Sequence, residues 1–282
     1  MIIESIQGLR EYLKEGRKQG KTIGFVPTMG FLHEGHLSLI RRAKSENDIV
    51  VVSDFVNPTQ FAPDEDFDSY PRNIEMDEKL ATSAGADVIF HPSVEEMYPA
   101  GSSTFVEVEG SITKVLCGAS RPSHFRGVTT VVAMLFNIVQ PDKAYFGQKD
   151  AQQAAVLIKM VRDLQMDLQI VVCPIIRETD GLAMSSRNTY LSDEERKQAL
   201  VLNQSLLKAK NSFENGEFDV QELIEIIRGK INEMPLADID YVSIYDFPSL
   251  GEIKKIENKA LAAVAVRFGK TRLIDNIVLE KN

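Results

Sequence analysis

Residues 22–36 read TIGFVPTMGFLHEGH. The first five form a short apolar run that stops at the turn signal Pro27, the pattern of a strand running into a loop. His33-Glu34-Gly35-His36 then opens a run, LSLIRR, whose apolar residues recur at helical spacing and predict a helix over 36–45. A strand, a glycine-containing loop and a helix in that order aim unpaired backbone N–H groups and the positive end of a helix dipole at whatever lies above the strand end. His33 and His36, three apart on the first turn, share a face. Each can donate a hydrogen bond to a phosphate oxygen as charge builds there. The chain has four histidines, so half of them fall within these four residues. Taken alone, an H-x-G-H also fits a plain helix cap or a solvated turn. It fits zinc poorly, because the metalloprotease pattern H-E-x-x-H spaces its histidines four apart around a catalytic Glu.

Outward from this stretch, a helix is predicted over 5–19 before it and a strand over 48–56, DIVVVSDFV, after it. The near-continuous β-branched run marks a parallel strand covered on both faces. Asp54 stands out within it, because a buried carboxylate must be paired or protonated. The strand runs into FVNPTQF, residues 55–61, again a strand end feeding a loop, and 63–67 form an acidic loop. A helix over 74–84, a strand over 86–91, a helix over 128–139, a strand over 143–146, a helix over 151–164 and a strand over 168–173 continue the alternation. A short hairpin is expected around 104–108. The segment LCGASRPSHFRG, residues 116–127, holds two arginines and fits either an ordered binding loop or a connector.

The alternation predicts an α/β fold, a Rossmann-like doubly wound parallel sheet whose ligands sit outside the carboxyl ends of the strands. The chain changes character near Arg177. After a polar stretch without periodicity, Ser192 with Glu195 forms a capping-box signature. Helices over 193–215 and 220–233 and strands near 239–246, 260–267 and 271–279 follow. Helices and then strands indicate a second, smaller α+β domain, which divides the chain into 1–176 and 177–282.

At 282 residues the chain is long enough for a full core, and 44% hydrophobic with 26% charged residues is ordinary globular composition. No apolar run approaches the roughly 20 residues that a membrane helix requires, and the charged N-terminus has no signal-peptide core. Two cysteines give no disulfide framework, which points to a reducing cytoplasm. Thirty-two Lys and Arg against 41 Asp and Glu leave a formal charge of −9, the wrong sign for a polynucleotide partner. A small nucleotide met by a few local cations fits better.

Four segments now stand at strand ends or in ordered loops: PTMGFLHEGH (27–36), FVNPTQF (55–61), YFGQKDAQQ (145–153) and GLAMSSRN (181–188). In this order and at these spacings they resemble the pantothenate synthetases (pantoate–β-alanine ligases), a family of the HxGH nucleotidylyl-transferase superfamily that also holds the class I aminoacyl-tRNA synthetases. The resemblance runs nearly the whole chain, through RPSHFRGV (121–128) to RLIDN (272–276).

The resemblance implies an ATP-dependent ligase that joins (R)-pantoate and β-alanine into (R)-pantothenate through a pantoyl-adenylate, releasing AMP and diphosphate. It implies that Met29, Gly30, His33 and His36 belong to the ATP-binding loop and helix start. His33 and His36 would act electrostatically on the phosphates, with His36 also a formal proton donor. It places Lys149 as a point charge by the phosphates and Gly147 where the backbone approaches the nucleotide, with Asp150 on the ribose hydroxyls. The main chain near Ile176 would read the adenine, and Met184, Ser185, Ser186 and Arg187 would form a mobile phosphate clamp. Gln60 and Gln153 would hold pantoate, with Gln60 also close to β-alanine. ATP as substrate, Mg²⁺ on its phosphates, a lid role for the second domain and a homodimer complete the implied picture.

Two positions depart from the family pattern: Asp54 stands where an apolar residue is usual, and Cys117 where many members carry Glu. The nearest rival reading is another HxGH nucleotidylyl transferase with a different acceptor, which would not need the paired glutamines of FVNPTQF and KDAQQ. A non-catalytic nucleotide sensor would bind ATP without β-alanine-dependent AMP release.

Overall fold

The computed structural model describes residues 1–62, 65 and 67–281. The acidic loop expected over 63–67 lies partly outside them. The chain divides into two compact units, Met1–Thr113 with Gly118–Pro174, and Lys114–Cys117 with Ile175–Asn282. The division expected at 176/177 therefore falls two residues earlier, and the short piece Lys114–Cys117 belongs with the second unit. No sequence signal marks that excursion, because it depends on contacts made far along the chain.

The first unit is a six-stranded, all-parallel sheet in the order β1-β4-β3-β2-β5-β6. In chain order it comprises β1 (Ile2–Ile3), α1 (Ile6–Lys18), β2 (Ile23–Thr28), α2 (Glu34–Glu46), β3 (Ile49–Asp54), α3 (Ile74–Ala84) and β4 (Val88–Phe90). Two single-turn helices, α4 (Val94–Met97) and α5 (Cys117–Ser120), precede α6 (His124–Val139), β5 (Lys143–Gly147), α7 (Ala151–Asp163) and β6 (Gln169–Cys173). Every residue of β3 is buried, as its apolar run requires of a strand covered on both faces. Helix α6 is buried nearly all round, and its Val, Leu and Phe side chains join those of β2, β3 and β5 in one core. The helix starts follow their caps: Ser5 Oγ accepts the Gly8 N–H for α1, and Asn73 accepts that of Met76 for α3.

Two expectations for this unit are overturned, and one strand was not anticipated. Strand β2 does not stop at Pro27 but runs through it to Thr28. The N–H of Ile49 and of Phe55 donate to Thr22 and Thr28, so the even-numbered residues of β2 face β3, and Pro27 turns the other way, toward the β5 side. Pairing with β5 is confined to Gly24 and Phe25, so the N–H that Pro27 lacks breaks no rung. Strand β1 was missed because two residues give no pattern. The hairpin expected around 104–108 does not form. Instead, the Val106 N–H donates to Thr130 Oγ1 and its carbonyl accepts from Thr129 Oγ1, which stitches this extended segment to α6.

The second unit packs α8 (Asp193–Ala199), α9 (Val201–Glu214) and α10 (Val220–Ile231) with a three-stranded antiparallel sheet, β7 (Ala237–Asp246), β8 (Lys259–Phe268) and β9 (Thr271–Glu280). The Ser192/Glu195 capping box is present at the start of α8. The single helix expected over 193–215 is two, broken at Leu200. In β8 an unbroken buried run, from Ala260 to Val266, makes it the central strand. The unit is tied by Arg177, whose guanidinium makes two bonds, at 2.7 and 3.0 Å, to the carboxylate of Asp275 on β9. Cys117 belongs here too, with its Sγ 3.4 Å from the Tyr241 hydroxyl and 3.7 Å from two nitrogens of Arg272.

Candidate active site

Strands β3, β4 and β1 lie to one side of β2, and β5 and β6 to the other. The strand order reverses between β2 and β5, and a doubly wound sheet takes its ligand in the crevice at such a reversal. Three loops leave the sheet there, from the carboxyl ends of β2, β3 and β5. They carry most of the candidate residues of the first unit.

The β2 loop is bound on both flanks. Thr28 Oγ1 donates to the Ser53 carbonyl at 2.7 Å and accepts the Gly30 N–H at 3.1 Å. Gly30 (φ +77°) and Phe31 (φ +51°) are both left-handed, and a Cβ on Gly30 would collide with the Asp54 carboxyl, so only glycine fits there. From α3, the buried Asp77 accepts the N–H of Phe31 and of Leu32, each at 2.7 Å. The loop then delivers His33 as the N-cap of α2, which starts two residues earlier than the sequence predicts.

His33 and His36 stack, with ring centroids 4.0 Å apart, and the His33 N–H donates to His36 Nδ1 at 3.3 Å. Because Nδ1 accepts, the proton of the neutral His36 ring is assigned to Nε2. Burial holds the pKa of His36 well below its ordinary value, and the charges of His33 and Lys149 push it the same way. His36 is therefore a neutral hydrogen-bond donor near pH 7. Lys149 and Asp150 stand on the turn Gln148–Asp150 after β5, with Lys149 Nζ 3.9 Å from Asp150 Oδ2. Gly147, the last residue of β5, has φ −81°, and an added Cβ would meet nothing closer than 4.0 Å. The protein's own packing does not require glycine at that position.

The β3 loop turns at Pro58–Gln60 and is capped by Asn57. The Gln60 amide donates to Met29 Sδ at 3.0 Å and accepts from Asn57 Nδ2 at 3.1 Å, which links the β2 and β3 loops. The Gln60 carbonyl is held by His124 Nδ1 at 3.0 Å and by Arg121 at 3.3 Å, and Arg121 in turn grips Glu65. The RPSHFRG segment thus braces Gln60 through the Arg121 and His124 side chains. Burial, and then Arg121, push the pKa of His124 down to about 4, so it braces Gln60 as a neutral ring. Gln153 lies on the first turn of α7, directly after the Lys149 turn.

The remaining candidates, Ile176, Met184, Ser185, Ser186 and Arg187, belong to the second unit. The Met184 N–H donates to the Ile176 carbonyl at 3.0 Å, and Ser185 caps the turn Ser186–Tyr190 by accepting the Arg187 N–H. Sequence reasoning missed the supports of the site. Asn57 was quoted within FVNPTQF but given no role, although it also accepts from the Tyr98 hydroxyl at 2.7 Å. Asp77 looked like an ordinary acidic residue on the first turn of a helix, and nothing in the sequence shows that it faces a loop 45 residues away.

The model of the family described as pantoate-beta-alanine ligase matches residues 1–278. The chain belongs to the pantoate-beta-alanine ligase family. It is 59% identical over 278 residues to the pantothenate synthetase of Thermotoga neapolitana, covering 99% of each chain. Pantothenate synthetase from Thermus thermophilus superposes with a TM-score of 0.94 at 46% identity, with 99% of both chains covered. A pantoate-beta-alanine ligase from Francisella tularensis, solved in complex with β-γ ATP and β-alanine, matches with a TM-score of 0.81 at 36% identity, covering 100% of this chain and 98% of that one. Among the described residues of the chain, no helix is long and apolar enough to cross a membrane. No group of three or more His, Cys, Asp or Glu among them is placed to hold a metal ion.

Proposed function

We propose that the protein joins (R)-pantoate to β-alanine with ATP, giving (R)-pantothenate, AMP and diphosphate through a pantoyl-adenylate. The observation that carries this reading is the meeting of the His33/His36 pair, Gln60 and Lys149 on three loops at one sheet reversal. The glutamine supports this acceptor over the other HxGH transferases.

A carboxylate is a poor electrophile for an amine, so it must first be activated. A pantoate carboxylate oxygen attacks the α-phosphorus of ATP, and the bond to the departing diphosphate breaks. His33, the Nε2–H of neutral His36 and the Lys149 ammonium meet the phosphate oxygens on which charge builds. Preorganised donors of this kind are worth about 10²–10³-fold in rate each. A neutral His36 serves beside Lys149 without like-charge repulsion. In the second half the free amine of β-alanine attacks the acyl carbon, the bond to AMP breaks, and the nitrogen gives up its extra proton to solvent.

The other roles rest on the family resemblance. Met29, Gly30, Gly147 and Asp150 line the ATP site. Ile176, Met184, Ser185, Ser186 and Arg187 bring the second unit to the nucleotide, as a lid that shields the acyl-adenylate from water. Gln60 and Gln153 hold pantoate, and Gln60 also borders the β-alanine site. Mg²⁺ would neutralise the phosphates of ATP. The described residues offer it no cage of their own, so it would arrive on the nucleotide. A homodimer in a reducing cytoplasm completes the proposal.

The test is AMP and diphosphate release from ATP and Mg²⁺ with pantoate and β-alanine added singly and together. AMP turnover, with pantothenate, is expected only when both acids are present. AMP release without β-alanine dependence, or no product while ATP still binds, would sink the reading.

A further inference from the structure

The loop that delivers the two histidines is left-handed at two successive residues, Gly30 (φ +77°) and Phe31 (φ +51°). The side chain of Phe31 makes that conformation costly, and a strained residue persists only where its surroundings fix it. Here they do. Thr28 Oγ1 accepts the Gly30 N–H, Asp77 Oδ2 accepts that of Phe31 and Asp77 Oδ1 that of Leu32, the last two at 2.7 Å each. Successive N–H groups in a turn of this kind form a concavity that binds anions. In this protein the anion is its own: Asp77, 2% exposed, reaches in from the first turn of α3. Asn73 caps that turn by accepting the Met76 N–H, which fixes the backbone that carries Asp77. Beyond the clamp, Leu32 is buried with Leu37 and Ile40 of α2, and His33 follows at once as the N-cap.

We propose that Asp77 is a positioning residue for the two-histidine turn: by taking the N–H groups of Phe31 and Leu32 it holds Phe31 left-handed, sets where α2 begins, and so sets where His33 meets His36. The inference rests on the reaction proposed above only for the rate it alters. The main-chain N–H of His33, which orients His36, lies one residue beyond the clamp. The N–H groups of Phe31 and Leu32 are spent inside the protein, so a nucleotide phosphate is met by side chains such as the two histidines. The turn needs one carboxylate oxygen for each N–H. Asparagine has the same shape but a single oxygen, and its amide nitrogen turns a donor toward the second N–H.

The test uses the full chain carrying Asp77→Asn, Phe31→Gly, both together, or Phe31→Val. Glycine adopts the left-handed conformation without steric cost and lessens the need for the clamp. Valine resists it and strains the same turn with Asp77 intact. Asp77→Asn should lower kcat for pantoate-dependent diphosphate release about 10²-fold per folded molecule, the scale of a small misplacement of catalytic groups, with KM for ATP little changed. Phe31→Gly alone should leave the rate near that of the unaltered protein. In the Asp77→Asn background it should recover about tenfold, the equivalent of the left-handed cost of one side chain. Phe31→Val should slow the reaction as Asp77→Asn does, and it keeps the test decisive if Asp77→Asn fails to fold. The ring ¹⁵N signal of His36 Nδ1 reads the turn without catalysis: it should move in Asp77→Asn and in Phe31→Val, and return in the double variant. A folded Asp77→Asn with reduced stability but unchanged kcat and His36 signal overturns the proposal, because Asp77 would then only support the fold. A loss that Phe31→Gly does not reduce overturns it too, as does a Phe31→Val protein with the unaltered rate and signal. If the unaltered protein releases no diphosphate, the proposed reaction falls, and the His36 signal alone decides whether Asp77 positions the turn.

Discussion

The main-chain N–H of His33 donates to Nδ1 of His36 at 3.3 Å, so the two histidines that mark the sequence also fix each other's geometry. One ring nitrogen of His36 is committed to the helix cap, and the proposed reaction uses the other. Asparagine carries its amide near the position of Nδ1, and glutamine carries its amide near Nε2. His36→Ala is expected to slow pantoate-dependent diphosphate release by about 10²–10³-fold with little change in KM for ATP. His36→Gln should recover part of that loss and His36→Asn none. Equal rates for the two amides would contradict the assigned tautomer.

Helix α6 presses its first turn against the β3 loop at Gly127. A Cβ there would lie 2.7 Å from Gln60 Cα and would collide with the Thr59 carbonyl, and both are backbone atoms that cannot swing aside. Gly127→Ala should therefore cost about 1–3 kcal/mol in chemical denaturation. It should also raise KM for pantoate more than KM for ATP, because the displaced residue is Gln60. Stability and both KM values indistinguishable from the unaltered protein would refute the close approach.

His124 makes the protein sensitive to acid. Its folded-state pKa of about 4 lies below the ordinary histidine value, so between about 6.5 and 4 the unfolded chain binds the extra proton and the folded one does not. Stability from this group is fully present above pH 6.5 and is lost as pH falls through that window, by an amount of the order of 3 kcal/mol at most. Asp54, with its raised pKa, has the opposite sign: its contribution is complete below about pH 4 and is lost as pH rises through 6. Denaturation curves from pH 4 to 8 for His124→Gln should lack the acid-side loss and keep the decline above pH 4. An acid-side slope as steep as that of the unaltered protein would rule this out.

In the second unit the Asp275 side chain is almost wholly buried against Arg177. Removing the cation strands a charge, and Arg177→Ala should cost about 3–5 kcal/mol. Replacing both, as Arg177→Met with Asp275→Leu, should cost clearly less than the single change. Thermal unfolding of the full chain checks the order, and a double variant weaker than Arg177→Ala would reverse it.

Much of the architecture could be read from residues 22–36 and their echoes downstream. The β-branched run of β3, the helix of residues 74–84 and the alternation through residue 173 have local periodicity, so the parallel sheet followed from spacing alone. The His33/His36 pair stood out as a local pattern, whereas Gln60 and Lys149 were marked only by the family resemblance. What stayed hidden depends on distant partners. Asp77 and His124 look like ordinary helix residues until the fold sets them against loops 45 and 64 positions away. Pro27 was misread because its local signal is that of a turn, and only the alternation of β2 shows that its missing N–H points where no rung is needed.

The reversal between β2 and β5 also sets a timetable for the protein's birth. The Ile23 N–H bonds the Asp142 carboxylate across 119 residues, and β2 pairs with β5 just beyond. At ribosomal speeds of roughly 5–20 residues per second, β5 leaves the ribosome of the order of ten seconds after β2. Through that interval β2, β3 and β4 can associate, but one flank of β2 stays open and the crevice at the strand reversal has only one wall. The nascent chain therefore gains its proposed nucleotide site late, in a single step, when one strand inserts beside another made long before it.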